Sequence, residues 1–218
     1  MDQDRRIPQE TTRIEKDLGI MISEDGSYSA QVTRALSKAN TILGRLLNTF
    51  KYFDRKIVKI LYPTFVRPHI ESASTVWNDL KKEDKDRLEK FQRKVTRKIT
   101  DIKHTTYEER LEILSLQKYE DRRLRGDLIQ IFKMINLIDD IKLSQDLKFL
   151  SSSRPNNKKL IRELSRNSLR HGFLTNRVTE TWNKLPQEIV NSETVNSFKG
   201  KLDKFMKENK QYKNVKNI

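Results

Sequence analysis

Apolar side chains recur at helical spacing along most of this chain, and one early stretch breaks the pattern. Residues 14–22, IEKDLGIMI, close on an apolar run and stop at Asp25-Gly26, which predicts a short strand or extended segment. A lone strand needs a partner, and little else in the chain reads as one. From Ser27 the period turns helical, with Val32, Leu36, Ala39, Leu43, Leu46 and Leu47 on one face. A second helix begins after Asp54, a good N-cap. Its inward stripe reads Ile57, Leu61, Phe65, His69, Ala73, Val76 and Trp77. Pro63 and Pro68 remove backbone donors, which predicts a bent core helix. Arg67 and Glu71 fall on its opposite face, four apart, as a helix pair. His69 falls on the stripe and reads as a hydrogen-bonded core histidine.

A third helix is expected over 84–102, with Leu88, Phe91, Val95, Ile99 and Ile102 inward. Its outer face carries Arg93, Lys94, Arg97 and Lys98. Thr106 and Glu109 have the spacing of a capping box and open a short helix. A longer helix follows over about 118–138, with Leu124, Leu128, Ile131, Phe132 and Ile135 inward. Its first turns read DRRLRGD and hold Arg122, Arg123 and Arg125. The stretch SSSRPNNKK is a loop by composition. Between 154 and 170 stand Arg154, Lys158, Lys159, Arg162, Arg166 and Arg170 against one acid, Glu163. Two helices close the chain. One contains FLTNRVTETWNKL; the other begins near Ser192 and buries Val195, Phe198, Leu202 and Phe205.

Charge narrows the function classes. The 218 residues hold 45 Lys and Arg against 30 Asp and Glu, a net of +15. Such an excess favours a polyanion partner, either nucleic acid or an acidic membrane face. Absence of cysteine removes disulfides and Cys-ligated metals. The N-terminus, MDQDRRIPQETTR, has no apolar core and is no signal peptide. The chain is therefore expected in the nucleus or cytoplasm, with no choice between them. The most apolar window, 57–77, carries Lys59, Arg67, His69 and Glu71, which argues against a membrane span.

Catalytic signatures are sparse. His69, His104 and His171 lie far apart without zinc spacing. No Walker loop, GxGxxG or GxSxG occurs. Several acids have a base four residues on, as in Asp86–Lys90, Glu89–Arg93, Asp121–Arg125, Glu180–Lys184 and Asp203–Lys207, which is helix-surface pairing. Asp139-Asp140 is the one Asp-Asp doublet. Neither a metal site nor a cofactor is expected.

Five phrases occur in order: EKDLGIMIS, LYPTFVRPHIESASTVWN, LEKFQRKVTRKI, YEERLEILSLQKYEDRRLRGDLIQIFKMIN, and NRVTETWNKLPQEIV with VNSFKGKLDKF. Together, over residues 14–206, they resemble the C-terminal third of reverse transcriptases from non-long-terminal-repeat retrotransposons of the jockey-like and chicken-repeat-like groups. Ser72 stands where that family often has an aromatic residue, and 154–159 departs from its Arg-Gly-His pattern. The resemblance implies that DLGIMI is the last strand of a polymerase palm, whose sheet partners would lie upstream of Met1. The helices from Ser27 would be the thumb and a C-terminal extension. The family's Mg²⁺-binding acids sit in the palm. LIDD, residues 137–140, lacks the aromatic of that acidic box and lies on the wrong side of DLGIMI, so no polymerase residue carries over.

The expected fold is mainly α: a helical thumb-like bundle, with a short N-terminal strand and a C-terminal helical extension. Its parts are a palm remnant (1–26), a thumb-like domain (27–143), a basic linker (144–170) and C-terminal helices (171–218). The expected function is non-catalytic gripping of an RNA or DNA backbone, duplex or single-stranded, without sequence preference. A palm-containing polymerase chain acting in trans is a further expected partner. Three basic sets are candidates for the grip: Arg93, Lys94, Arg97 and Lys98; Arg122, Arg123 and Arg125; and Arg154, Lys158, Lys159, Arg162, Arg166 and Arg170. The rival readings are a helical protein-interaction scaffold and a transposon fossil without molecular function.

Overall fold

The segment expected as a lone strand folds back on itself. In the computed structural model, which describes residues 12–139, 147–150, 158–164 and 168–209, β1 (Ile14–Asp17) pairs antiparallel with β2 (Ile20–Ser23), Asp17 opposite Ile20. Leu18 and Gly19 make the two-residue connection with φ of 45° and 89°. A tight hairpin needs this left-handed backbone. The strand's partner is thus its own neighbour in sequence. β2 lies on helix α1 (Ser29–Thr49), where Ile20 is buried and Met21 N–H donates to Gln31 Oε1 at 3.0 Å.

Val32, Ala35, Ala39 and Leu43 of α1 are buried, with Leu36, Leu46 and Leu47 packed beside them. Next comes a rod in three parts: α2 (Arg55–Leu61), a π turn (Tyr62–Val66) and α3 (Pro68–Glu71). Asp54 caps α2 as expected, accepting from Ile57 N–H at 2.9 Å. The two prolines do not break the rod. Arg67 N–H reaches back five residues to Tyr62 C=O at 2.9 Å, so the turn widens instead.

The inward stripe of this rod corrects the sequence reading by one residue. Val58, Tyr62, Val66 and Ile70 are buried, whereas Phe65 is half exposed and His69, Ala73 and Val76 are exposed. His69 is therefore no core histidine. Spacing by four drifts around an α-helix, and the wider π turn takes up the drift. The register follows from Tyr62, whose hydroxyl lies 2.6 Å from Tyr119 Oη and donates to Gln92 Oε1 at 3.1 Å. Trp77 is buried as expected, its indole N–H bonded to Ser72 C=O at 2.8 Å.

Helix α4 (Lys82–Arg97) buries Leu88, Phe91 and Val95, and the turns after it bury Ile99 and Ile102. Helix α5 (Tyr107–Leu114) opens with the expected capping box: Thr106 N–H donates to Glu109 Oε2 at 2.7 Å, and Glu109 N–H to Thr106 Oγ1 at 3.3 Å. The Thr106 N–H and hydroxyl, both donating to the Glu109 carboxyl, hold it below the usual range. Helix α6 (Tyr119–Ile135) joins two cores. Tyr119 belongs to the first, which runs from Ile20 through Ile102 and Leu114. Leu128, Ile131, Phe132 and Met134 belong to the second, with Leu160, Trp182, Phe198 and Leu202.

The C-terminal part is more broken than its sequence suggests. FLTNRVTETWNKL forms α8 (Leu174–Arg177) and α9 (Thr179–Asn183), preceded by α7 (Ser168–His171) and followed by α10 (Gln187–Val190). Helix α11 (Val195–Glu208) then buries Phe198 and Leu202, with Val195 and Phe205 beside them. Phe198 stacks on Phe132 at 4.3 Å between ring centroids. The described part of the expected linker is tied into this core. Leu160 is buried, bonds Asn183 through both N–H and C=O at 2.8 Å, and bridges to Phe149. No described helix is long and apolar enough to cross a membrane.

Candidate nucleic-acid interface

The three basic sets have different fates. Arg93, Lys94, Arg97 and Lys98 all point outward from α4 and its C-cap. Together with Arg87 and Lys90 they wall a cleft of about 610 Å³ between α1 and α4, floored by Leu36 and Phe91 and edged by Asn40. Among the described residues, Lys90, Lys94, Arg97 and Lys98 have no carboxylate partner. Lys94 donates to Asn40 Oδ1 across the cleft at 2.9 Å. Arg93 lies over the Tyr107 ring at 4.5 Å.

One cation of this wall is fixed from beneath. Asp84, 4 % exposed, accepts from Arg87 Nη1 at 2.8 Å and from Ser29 Oγ at 2.5 Å. Arg87 Nη2 donates onward to Thr33 Oγ1 at 2.7 Å. The Asp84–Arg87 latch thus ties α4 to the first turns of α1. Farther along α4, Gln92 points inward, where its amide donates to Tyr107 Oη and Gln117 C=O, both at 3.0 Å. Glu89 accepts from the Tyr107 hydroxyl at 2.5 Å and from Tyr119 N–H at 2.9 Å. Burial pushes the Tyr62, Tyr107 and Tyr119 hydroxyls well above the ordinary tyrosine value. The basic face therefore stands on a rigid, hydrogen-bonded back.

The set on α6 is corrected. Arg123 is 5 % exposed and lies 3.9 Å over the Trp77 ring, with its guanidinium donating to Ile70 C=O at 3.3 Å and Trp77 C=O at 3.4 Å. Burial pulls its pKa down to about 10, opposed by the nearby Asp127 carboxylate. Arg122 pairs with Glu71, and Arg125 grips Asp203 through two nitrogens, one at 2.9 Å. No phosphate can reach Arg123, and its two neighbours already serve as ion-pair partners within the fold.

The 154–170 run is divided. Arg154 and Arg166 lie outside the described residues. Lys158 Nζ donates to Asn136 Oδ1 at 2.7 Å, and Arg170 pairs with Glu163 at 2.7 Å. Lys159 and Arg162 are exposed. The described members thus do not form one basic face.

The acids also depart from the expected surface pattern. Glu180–Lys184 does pair, at 2.6 Å, but Glu89 turns to tyrosines and Asp203 to Arg125. Asp139 accepts from Lys133 at 3.3 Å and Gln130 at 3.1 Å, and Asp140 is outside the described residues. Among the described residues, no three His, Asp or Glu side chains gather where they could hold a metal ion.

Two features escaped the sequence reading. Arg87 and Lys90 extend the α4 face at helical spacing from Lys94 and Arg97, a signal hidden by assigning Lys90 to Asp86. The second is a buried polar hub: Arg177 grips Asp127 through two bonds of 2.9 Å and donates to Thr75 C=O at 2.5 Å and Gly172 C=O at 2.8 Å. Asn78 adds a third bond to Asp127 at 2.6 Å. Comparisons of the chain with protein-family models, curated proteins and solved structures return no match.

Proposed function

We propose that the chain is a non-catalytic helical module that grips the phosphate backbone of nucleic acid along the α1–α4 cleft. The observation that carries this reading is the row of six cations, Arg87, Lys90, Arg93, Lys94, Arg97 and Lys98, beside an apolar floor. From Arg87 to Lys98 the row spans about 16 Å at 1.5 Å per residue. B-form duplex carries one charge per roughly 1.7 Å of axis, so several phosphates fall within reach. Leu36 and Phe91 offer base edges no donor or acceptor. Binding is thus expected to follow the backbone and to ignore sequence. The likeness of LEKFQRKVTRKI, which contains five of the six cations, to the thumb of retrotransposon reverse transcriptases supports the same reading. A palm-bearing polymerase chain would then be the natural source of chemistry in trans.

Photo-crosslinking tests the location. A duplex carrying reactive groups on its backbone should crosslink to α4 and the facing turns of α1. Crosslinks concentrated at 158–170, or spread evenly over the surface, would overturn the assignment.

A further inference from the structure

We propose that the outer face of the α2–π-turn–α3 rod docks an acidic amphipathic helix from a partner protein. With Val58, Tyr62, Val66 and Ile70 turned inward, Ile60 on the opposite side is 66 % exposed and Phe65 on the flank is 50 % exposed. Exposed Pro68 continues this strip. The π turn accommodates this register and leaves Phe65 half exposed, and such turns inside helices often mark functional sites. Apolar residues on consecutive turns of a rigid rod are the counterpart an amphipathic helix requires.

Charge chooses the partner. From Arg55 to His69 the rod carries no acid. Arg55 is paired with Asp101 at 3.1 Å, which leaves Lys56 and Lys59 exposed beside the strip. Neither has a carboxylate within ion-pair distance among the described residues. The nearest acids in sequence are engaged: Asp54 caps α2, and Glu71 is held by Arg67 and Arg122. The strip is thus apolar in its middle and basic at its N-terminal end. A helix with apolar residues at i, i+3, i+4 and i+7 and flanking glutamates complements both. A second copy of this chain does not, because a two-fold contact sets the same acid-free face against itself and offers Lys56 and Lys59 no carboxylate, in a molecule already at +15. Single-stranded nucleic acid is also the poorer fit: Phe65 is the only aromatic on the strip, and successive bases need successive platforms.

The test uses the full chain and two labelled synthetic helices that share one leucine stripe, one flanked by glutamates and one by lysines. Fluorescence anisotropy should show the glutamate helix binding and the lysine helix at least about tenfold weaker, a difference of about 1.4 kcal/mol. Ile60→Gln/Phe65→Gln should abolish binding while leaving the thermal midpoint and duplex binding unchanged. Lys56→Glu/Lys59→Glu should reverse the preference between the two helices. Equal binding of both helices would overturn the proposal, as would full binding by the Ile60/Phe65 variant. So would no binding up to about 1 mM, or loss in that variant of single-stranded oligonucleotide binding instead.

Discussion

Arg123 stands among basic neighbours in DRRLRGD, yet it is the one of them wholly inside. Its place is set by Trp77, whose ring it covers, and by the carbonyls of Ile70 and Trp77, to which it donates. Asp127, four residues on, takes Arg177 and Asn78 rather than Arg123. Replacing Asp127 by Ala would leave the Arg177 guanidinium without its acid; removing one partner of a buried pair costs about 3–5 kcal/mol. Urea unfolding should show that loss, whereas Lys98→Ala should stay within about 0.5 kcal/mol. The buried tyrosines give a pH signature. Their folded pKa values are raised, so their contribution is fully present below the ordinary value of about 10 and is lost as pH rises beyond it. Arg123, depressed to about 10 by burial, works in the opposite direction over the alkaline range and is silent in phenolate absorbance. Phenolate absorbance of Tyr62, Tyr107 and Tyr119 should therefore appear together with unfolding, above pH 10. Smooth ionisation in the folded state would contradict the network.

At the scale of elements, local rules read well wherever one residue decides. Asp54 and Thr106 are caps by chemistry alone, and Thr106→Ala should cost about 1 kcal/mol, measurable as a lower thermal midpoint. The long amphipathic helices were legible because a single apolar face repeats over many turns. Two elements were not. The hairpin hides behind Leu18, since a leucine at positive φ is a poor turn signal. Leu18→Asn should relieve the strain and stabilise the protein by about 1 kcal/mol; a lower midpoint would mean that the turn has another geometry. The rod from 55 to 71 offers two apolar stripes, one residue apart. Only the contacts of the Tyr62 hydroxyl with Gln92 and Tyr119 choose between them, and such long-range bonds leave no local trace. The same limit applies to the α6 arginines, where burial depends on partners at Ile70, Trp77 and Asp203.

For the whole molecule, two cores share helix α6, and the Arg177–Asp127–Asn78 hub seals the contact between α6, α8 and the loop after α3. Most described basic residues stay outside, and α4 collects six of them on one cleft while Asp84 turns to Arg87 and Glu89 to tyrosines. With Mg²⁺ or Mn²⁺ the purified chain is expected to extend no primer; extension that persists through purification and is lost in Asp139→Ala would reverse that reading. The cleft itself is tested most directly by salt-titrated duplex binding. Each phosphate neutralised contributes about −0.9 to the slope of log K against log salt. Changing Lys90, Lys94, Arg97 and Lys98 to Ala should flatten the slope by roughly three to four units and weaken all sequences alike. The same four-charge removal at Lys158, Lys159, Arg162 and Arg170 should leave most of the slope in place. Equal slopes for the two quadruple variants would show that the protein binds through diffuse charge alone, and the α1–α4 cleft would not be its grip.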